Sequence, residues 1–221
     1  MPEIRITRFT VPRTARAAAF GPSAASADEW WIVLHGYGQL AAEFLAQCAP
    51  LDNGRRLVVA PEALSRFYQA GPGGTPDARV GASWMTREDR DAEIADYLRY
   101  LDQLLATLAA EVRTPPPLHV LGFSQGTATA SRWVASLRMP VARLVCWGGL
   151  MAPELDIRSP SAPLRATRLQ IVVGTRDRFA TPERVAAART TLDAAGASYE
   201  LITFDGAHRL DDATLARIAA S

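Results

Sequence analysis

A single serine, Ser124, lies between two glycines in the stretch Gly122-Phe123-Ser124-Gln125-Gly126, which has the spacing G-x-S-x-G. The residues before it, LHVLGF (118–123), are apolar and typical of a buried strand, whereas the small residues after it favour a helix. A sharp strand-to-helix turn would hold the serine hydroxyl at its apex, and glycine on both flanks avoids collisions there. The pattern therefore predicts Ser124 as the nucleophile of an acyl transfer.

A nucleophilic serine needs a general base, and histidine is the usual one. The chain contains three histidines, at positions 35, 119 and 208. When the serine sits on such a turn, the acid and then the histidine come later in the chain. His208 is the histidine that meets this order, and it follows the strand-like run SYELITF (198–204). We therefore expect His208 to act as the base.

The acid that orients the histidine should lie between Ser124 and His208. Asp177 is the preferred candidate because it comes shortly after the strand-like run RLQIVVG (168–174), at the end of a strand where such sheets place their sites. Asp205 is the main alternative because it is near the histidine in sequence, although it could equally shape a turn. Asp156 follows a different strand and is a further alternative.

Acyl transfer also needs hydrogen-bond donors for the oxyanion of the tetrahedral intermediate. The backbone N–H of Gln125, directly after the nucleophile, is one expected donor. The second should come from the loop after an early strand, where His35-Gly36-Tyr37-Gly38 follows the run WWIVLH (30–35). We predict the Tyr37 N–H as this donor and a structural role for His35, through hydrogen bonds to the loop backbone.

Six short apolar runs are rich in β-branched or large residues, which is typical of parallel strands that are buried on both faces. They cover residues 30–35, 56–62, 118–123, 142–149, 168–174 and 198–204. Helical patterns lie between them, most clearly from Asp89 to Glu111. The alternation predicts an α/β fold with a mainly parallel, twisted sheet and helices on both faces. Residues 3–11 and 14–20 are expected to form an antiparallel pair at the sheet edge.

The length of 221 residues suits one domain, which we expect to span residues 1–221. The formal net charge is +1 without a basic stripe, so no nucleic-acid partner is expected. Cys48 and Cys146 are expected to be buried free thiols, because the pair lacks metal-ligand spacing. The sequence has neither a signal-peptide pattern nor a long apolar run, so we expect a cytoplasmic monomer or homodimer without stable membrane insertion.

Residues 63–88 do not fit the alternation of strands and helices, since they contain Gly71-Pro72-Gly73-Gly74 and several aromatic residues. Long loops inside compact domains are usually functional or mobile. A surface excursion without function is one interpretation of this segment. The other is a flap over the site, with Phe67, Tyr68 or Trp84 in contact with the substrate.

The motifs HGYG, GFSQG, GTRD and GAH follow one another in an order and at separations that resemble the phospholipase/carboxylesterase family of small serine α/β hydrolases. The resemblance extends over roughly residues 28–215 and so covers nearly the whole chain. It implies an α/β-hydrolase fold without a large cap domain, no cofactor, and hydrolysis of carboxylic esters or thioesters. It also implies the roles of nucleophile, acid, base and oxyanion donor for the residues given these roles above.

The sequence departs from the usual pattern of this family around the expected acyl pocket. Thr127 stands where a second glycine commonly follows the nucleophile, and Gln39 stands where the early loop usually ends in aspartate. Trp84 and Phe179 belong to two further altered stretches. Together with Tyr68 they are the expected substrate contacts, and large side chains at positions 84 and 179 would favour short acyl chains.

The sequence therefore predicts a serine carboxylesterase that hydrolyses small carboxylic esters through an acyl-enzyme, without metal or organic cofactor. An acyl-thioesterase or a lysophospholipase would use the same residues and is an open alternative. A catalytically silent hydrolase fold that binds a ligand or partner is an alternative of another class, although such a protein has no reason to keep Ser124, Asp177 and His208 together. A peptidase is disfavoured, because no cap domain is expected that could grip a peptide.

Overall fold

The computed structural model describes residues 2–69, 78–159 and 162–221. Within these ranges the strands are β1 (Ala17–Phe20), β2 (Glu29–Leu34), β3 (Arg56–Pro61), β4 (Ser65–Tyr68), β5 (Val80–Ser83), β6 (Leu118–Phe123), β7 (Arg143–Trp147), β8 (Arg168–Gly174) and β9 (Tyr199–Phe204). The α-helices are α1 (Ala41–Gln47), α2 (Arg90–Ala109), α3 (Gln125–Ser136), α4 (Pro182–Ala194) and α5 (Asp212–Ala220). Strands and helices alternate along most of the chain, as the apolar runs predicted.

Seven of these strands form one sheet in the order β1-β3-β2-β6-β7-β8-β9. Within this sheet each neighbouring pair is parallel except the pair at one edge, where β1 is antiparallel to β3. All six apolar runs form strands of this sheet, so the predicted α/β fold is confirmed. Phe123 of β6 lies opposite Trp147 of β7, which lies opposite Val172 of β8. Because these strands end at a common edge, the loops that follow them meet there.

Helices cover both faces of the sheet, with a separate apolar core under each group. On one face the strands pack against buried side chains of α2, α3 and α4. On the other face they pack against buried side chains of α1 and α5. Trp30 and Trp31, which are neighbours in β2, belong to opposite cores and are both fully buried. Burial on both faces explains why the strands read as continuous apolar runs. The described residues include no cap domain over the carboxyl edge of the strands.

The N-terminal prediction was wrong for residues 3–11, which form no strand. The strand expected within 14–20 is present as β1, but it pairs with β3, from Ala17 opposite Pro61 to Phe20 opposite Val58. Apolar and charged residues alternate in 3–11, but both kinds are exposed, and Phe9 is 81% exposed. The edge position beside β3 is therefore filled by the more apolar stretch that follows.

Residues 63–88 contain more regular structure than the loop that we expected. Strands β4 and β5 pair in antiparallel fashion, from Ser65 opposite Ser83 to Tyr68 opposite Val80. The Gly38 N–H donates to Ala82 O at 2.9 Å, so this hairpin packs on the loop after β2. The stretch Gly71-Pro72-Gly73-Gly74 lies outside the described residues. Two strands of four residues each are too short to give a clear apolar period in the sequence.

Two smaller predictions are confirmed, one for a helix and one for the two cysteines. The expected helix from Asp89 to Glu111 is α2. Cys48 and Cys146 are both buried and free.

Throughout the described ranges, no helix is long and apolar enough to cross a membrane. The same residues contain no group of three or more metal-ligating side chains that could hold an ion.

Candidate active site

Ser124 occupies a strained turn between β6 and α3. Its φ of 54° and ψ of −115° are rarely adopted by a residue with a side chain, so the surrounding structure must hold it there. A Cβ at Gly122 would lie 2.3 Å from Gly126 O, and one at Gly126 would lie 2.2 Å from Leu34 O. Both glycines are therefore required by close backbone contacts, as the G-x-S-x-G pattern predicted. The turn is fixed to β7 by the Ser124 N–H, which donates to Trp147 O at 2.9 Å.

Asp177 and His208 form a hydrogen-bonded pair at the ends of neighbouring strands β8 and β9. His208 Nδ1 lies 2.8 Å from Asp177 Oδ2. The other carboxylate oxygen accepts from the N–H groups of Phe179 and Ala180, at 2.8 and 3.0 Å. Burial alone would raise the pKa of Asp177, but the hydrogen bonds from Ala180, His208 and Phe179 outweigh it and lower the pKa. The carboxylate thus stays charged and holds a proton on Nδ1, which leaves Nε2 free to accept one.

The imidazole of His208 is held beside the turn that carries Ser124. Its ring centroid is 4.9 Å from that of Phe123, the residue before the serine, and 4.6 Å from that of Phe179. The Trp147 indole N–H donates to Arg209 O at 2.8 Å and fixes the histidine loop to the end of β7. Among the described residues, the Ser124 hydroxyl has no hydrogen-bond partner. Serine–histidine contacts are often long before substrate binds.

The two alternative acids lie elsewhere. The side chain of Asp205 is 79% exposed, and it accepts from Thr175 Oγ1 at 3.2 Å and pairs with Arg176. Asp156 is exposed and accepts from the Arg158 N–H at 3.0 Å. Each therefore stabilises its own surface loop, whereas Asp177 is the carboxylate in contact with the predicted base.

The backbone N–H groups of Tyr37 and Gln125 have no partner in the part of the chain that the structure describes. In the first loop, the Gly36 N–H donates to Gln39 Oε1 at 2.8 Å, and the Gly38 N–H donates to Ala82 O at 2.9 Å. Their N–H groups are thus occupied, while that of the residue between them is not. The free groups are the two that the sequence predicted as oxyanion donors.

His35 holds the first of these donors in place. Its Nδ1 donates to Gly36 O at 2.8 Å, and its Nε2 accepts from the Ala63 N–H at 3.0 Å. Gly36 O and the Tyr37 N–H belong to one planar peptide unit and point in opposite directions, so holding the oxygen also directs the N–H. Burial lowers the pKa of His35, and both ring nitrogens are occupied. Its predicted structural role is confirmed.

The side chain of Gln125 makes contacts that the sequence did not reveal. Its Oε1 accepts from the Trp84 N–H at 3.0 Å, and its Nε2 donates to Met85 O at 2.8 Å. The indole of Trp84 in turn donates to His35 O at 2.9 Å. These bonds join the segment after β5 to both loops that carry the free N–H groups. Only the glutamine after the serine in GFSQG could have hinted at them.

The predicted substrate contacts fall in different surroundings. Phe179 is 48% exposed beside His208, and Tyr68 is 63% exposed on β4. Trp84 is only 3% exposed, and its position beneath the His35 loop favours a supporting role over the predicted contact with substrate. Tyr37, which packs its ring 5.1 Å from that of Phe67, adds another exposed aromatic surface. The surface around the serine is therefore an open aromatic rim.

Two hollows among the described residues lie away from this site. One of about 120 Å³ is lined by Met151, Leu164 and Leu192, among other residues. A shallower groove next to it is lined by Arg189 and Tyr199. Both lie near the beginnings of β8 and β9, whereas the candidate site follows the carboxyl ends of the strands.

The sheet order, the helices on both faces and the turn at the end of β6 define an α/β hydrolase. The sequence pattern of the family described as Phospholipase/Carboxylesterase matches residues 20–221, and the chain belongs to that family. The resemblance noted in the sequence is therefore confirmed.

Solved structures share this fold at low sequence identity. Esterase PE8 is 21% identical with a TM-score of 0.70, and the alignment covers 94% of this chain and 97% of that one. A phospholipase/carboxylesterase from Dyadobacter fermentans is 17% identical with a TM-score of 0.68, covering 96% and 99%. Acyl-protein thioesterase 2 from Zea mays is 16% identical with a TM-score of 0.69, covering 94% and 97%. No curated protein sequence matches the chain.

Proposed function

We propose that this protein is a serine carboxylesterase that hydrolyses small carboxylic esters through an acyl-enzyme. The observation that carries the proposal is the 2.8 Å contact between Asp177 and His208, whose ring packs against the residue before Ser124. The family and the esterase among its structural neighbours support hydrolase chemistry. The two free N–H groups support an oxyanion site, as acyl transfer requires.

In the proposed reaction, His208 Nε2 takes the proton of the Ser124 hydroxyl as the oxygen attacks the ester carbonyl. The N–H groups of Tyr37 and Gln125 donate to the oxyanion that forms. Asp177 stabilises the imidazolium, which then protonates the leaving alcohol. Water, activated by the same imidazole, attacks the acyl-enzyme and releases the acid. Every proton transfer in this sequence passes through Nε2, because Nδ1 stays hydrogen-bonded to the carboxylate.

The surroundings of the site favour esters with short acyl groups. Phe179 packs on the imidazole and leaves little space on that side, while Tyr68 and Tyr37 offer exposed aromatic surface rather than a deep channel. A long alkyl chain would leave many methylene groups in water, and each buried methylene contributes about 0.8 kcal/mol. We therefore expect catalytic efficiency to peak at short acyl groups.

The test is hydrolysis of a series of nitrophenyl esters, from acetate to palmitate, together with labelling by a fluorophosphonate. The wild type should turn over the short esters and take up one label per chain, whereas Ser124→Ala should do neither. Ser136→Ala removes a hydroxyl from the end of α3, where it donates to Trp133 O, and it should behave like the wild type.

The outcome of these assays separates the alternatives. An unlabelled wild type would overturn the proposal in favour of a catalytically silent binding protein. A labelled protein that prefers acyl-thioesters or lysophospholipids, compared in parallel, would keep the role of Ser124 and replace the substrate class. A peak at long acyl chains would contradict the proposed shape of the acyl site.

A further inference from the structure

Thr127, in the first turn of α3, makes hydrogen bonds that extend beyond its own helix. Its hydroxyl lies 2.6 Å from Ser124 O and 3.0 Å from Leu150 O, and the residue is 1% exposed. The Thr127 N–H also donates to Ser124 O, at 3.1 Å. A hydroxyl carries a single proton, which here is shared between carbonyls of two different segments. The side chain thus ties the serine turn to the segment after β7.

The segment tied in this way, residues 147–150, separates the two halves of the candidate site. On one side, a Cβ at position 149 would lie 2.6 Å from Ser124 O and 2.4 Å from Thr127 Oγ1. On the other side, a Cβ at position 148 would lie 3.1 Å from the His208 ring and 3.3 Å from Asp177 Oδ2. The two glycines at positions 148 and 149 therefore fill the space between the serine turn and the acid–base pair with backbone alone, and we call residues 147–150 the spacer.

We propose that Thr127 is a positioning residue that sets the separation between Ser124 and His208 by fixing the spacer to the serine turn. The inference rests on the proposed function. The spacer lies beside the imidazole, with no room for even a methyl group at position 148. A shift of the spacer relative to the turn would therefore also change the position of Nε2 relative to the Ser124 hydroxyl. A displacement of about 1 Å at reacting groups can cost roughly 100-fold in rate.

The same helix provides a matched control. Thr129 is fully buried, and its hydroxyl reaches Gln125 O at 3.5 Å, within α3. A change from threonine to valine removes a hydroxyl with little change of shape at either position. Only at position 127 does the change release the Leu150 end of the spacer, while the Ser124 N–H still holds its other end at Trp147 O. Thr127→Ser keeps the hydroxyl and so restores the link.

The experiment compares Thr127→Val, Thr127→Ser and Thr129→Val with the wild type, well below the thermal midpoint of each. The measurements are kcat and KM for a short nitrophenyl ester and the rate of fluorophosphonate labelling. For Thr127→Val we expect kcat and the labelling rate to fall roughly 10- to 100-fold with KM nearly unchanged. Thr127→Ser and Thr129→Val should stay close to the wild type.

Two results would overturn the inference while leaving the proposed function intact. One is a Thr127→Val variant that is labelled and turns over substrate at the wild-type rate. The other is an equal loss in Thr129→Val, since that would assign the effect to buried hydroxyls of α3 in general. Absence of labelling in the wild type would instead overturn the proposed function itself, so the two failures are distinguishable.

Discussion

His208 Nδ1 lies 2.8 Å from Asp177 Oδ2, although 31 residues separate the two along the chain. Each residue follows the carboxyl end of a strand, and the two strands, β8 and β9, are parallel neighbours. The parallel pairing of β8 with β9 therefore brings the two residues to the same edge of the sheet. Asp177 also accepts hydrogen bonds from two backbone N–H groups, so its carboxylate is fixed in orientation as well as in charge.

Replacing Asp177 with asparagine should lower kcat for a short ester by roughly 10³- to 10⁴-fold, because an amide neither stabilises the imidazolium nor enforces a proton on Nδ1. The matched control is Asp205→Asn, which alters the exposed alternative acid and should leave kcat within about twofold of the wild type. Steady-state kinetics at pH 7 to 9 would check both. A larger loss in Asp205→Asn than in Asp177→Asn would reverse the assignment of the acid.

The bond from His35 to Gly36 O leads to a second prediction. His35→Phe removes the donor that holds the Gly36–Tyr37 peptide, so the Tyr37 N–H should lose its fixed direction. The loss in kcat should stay below the roughly 10²- to 10³-fold expected for complete removal of an oxyanion donor. His35→Asn keeps an N–H near the position of Nδ1 and should lose less.

The measurement for these variants is kcat per site titrated with fluorophosphonate, which removes the effect of any unfolded fraction. Thermal unfolding of both variants would show how much stability each change costs. A wild-type kcat per titrated site in His35→Phe would show that the peptide needs no side-chain anchor.

Most of the fold and the candidate acid–base pair could be predicted because they depend on local patterns. Apolar runs specify buried strands, and parallel strands bring the residues after them to one edge. Gly122 is required by a contact within the serine turn and Gly126 by a contact with Leu34 O of β2, and the five-residue motif was enough to recognise both. The order of Ser124, Asp177 and His208 along the chain then supplied the roles.

Contacts between distant segments could not be predicted in the same way. The hydrogen bonds of Gln125 to the segment after β5 join residues about 40 positions apart, and no apolar period or sequence motif indicates them. The edge partner of β3 depended on whether residues 3–11 or β1 buried more apolar surface, which alternation alone does not decide. Trp84 was predicted as a substrate contact because residues 63–88 could form a flap over the site, yet it is 3% exposed and its indole N–H donates to His35 O.

Phe179 gives a prediction for acyl-chain preference. Removing its ring in Phe179→Ala should open space beside His208, so catalytic efficiency for octanoate relative to butyrate should rise several-fold. Each newly buried methylene contributes at most about 0.8 kcal/mol. Tyr199→Ala, which removes an aromatic ring at the beginning of β9, is the control and should leave the ratio unchanged. An unchanged ratio in Phe179→Ala would place the acyl group elsewhere on the rim.

His119, at the opposite end of β6 from Ser124, provides a prediction about pH and stability. Burial lowers its pKa to about 4, and the neighbouring charges of Glu29, Arg143 and Arg56 modify this effect. Its ring stacks on Trp31 with centroids 4.7 Å apart, and its Nδ1 has no partner among the described residues. The folded protein therefore resists protonation of this side chain.

The pKa of His119 is about 4 in the folded protein and roughly 6.5 in the unfolded chain. Between these values the unfolded chain binds more protons than the folded protein. The contribution of His119 to the free energy of unfolding is therefore largest above pH 6.5 and falls as the pH drops toward 4. At pH 5 the loss from His119 is on the order of 1–2 kcal/mol. His119→Phe preserves an aromatic ring against Trp31 and removes the titration. Urea unfolding from pH 7.5 to 5 should therefore show a flatter pH dependence in this variant, and equal slopes would contradict the assignment.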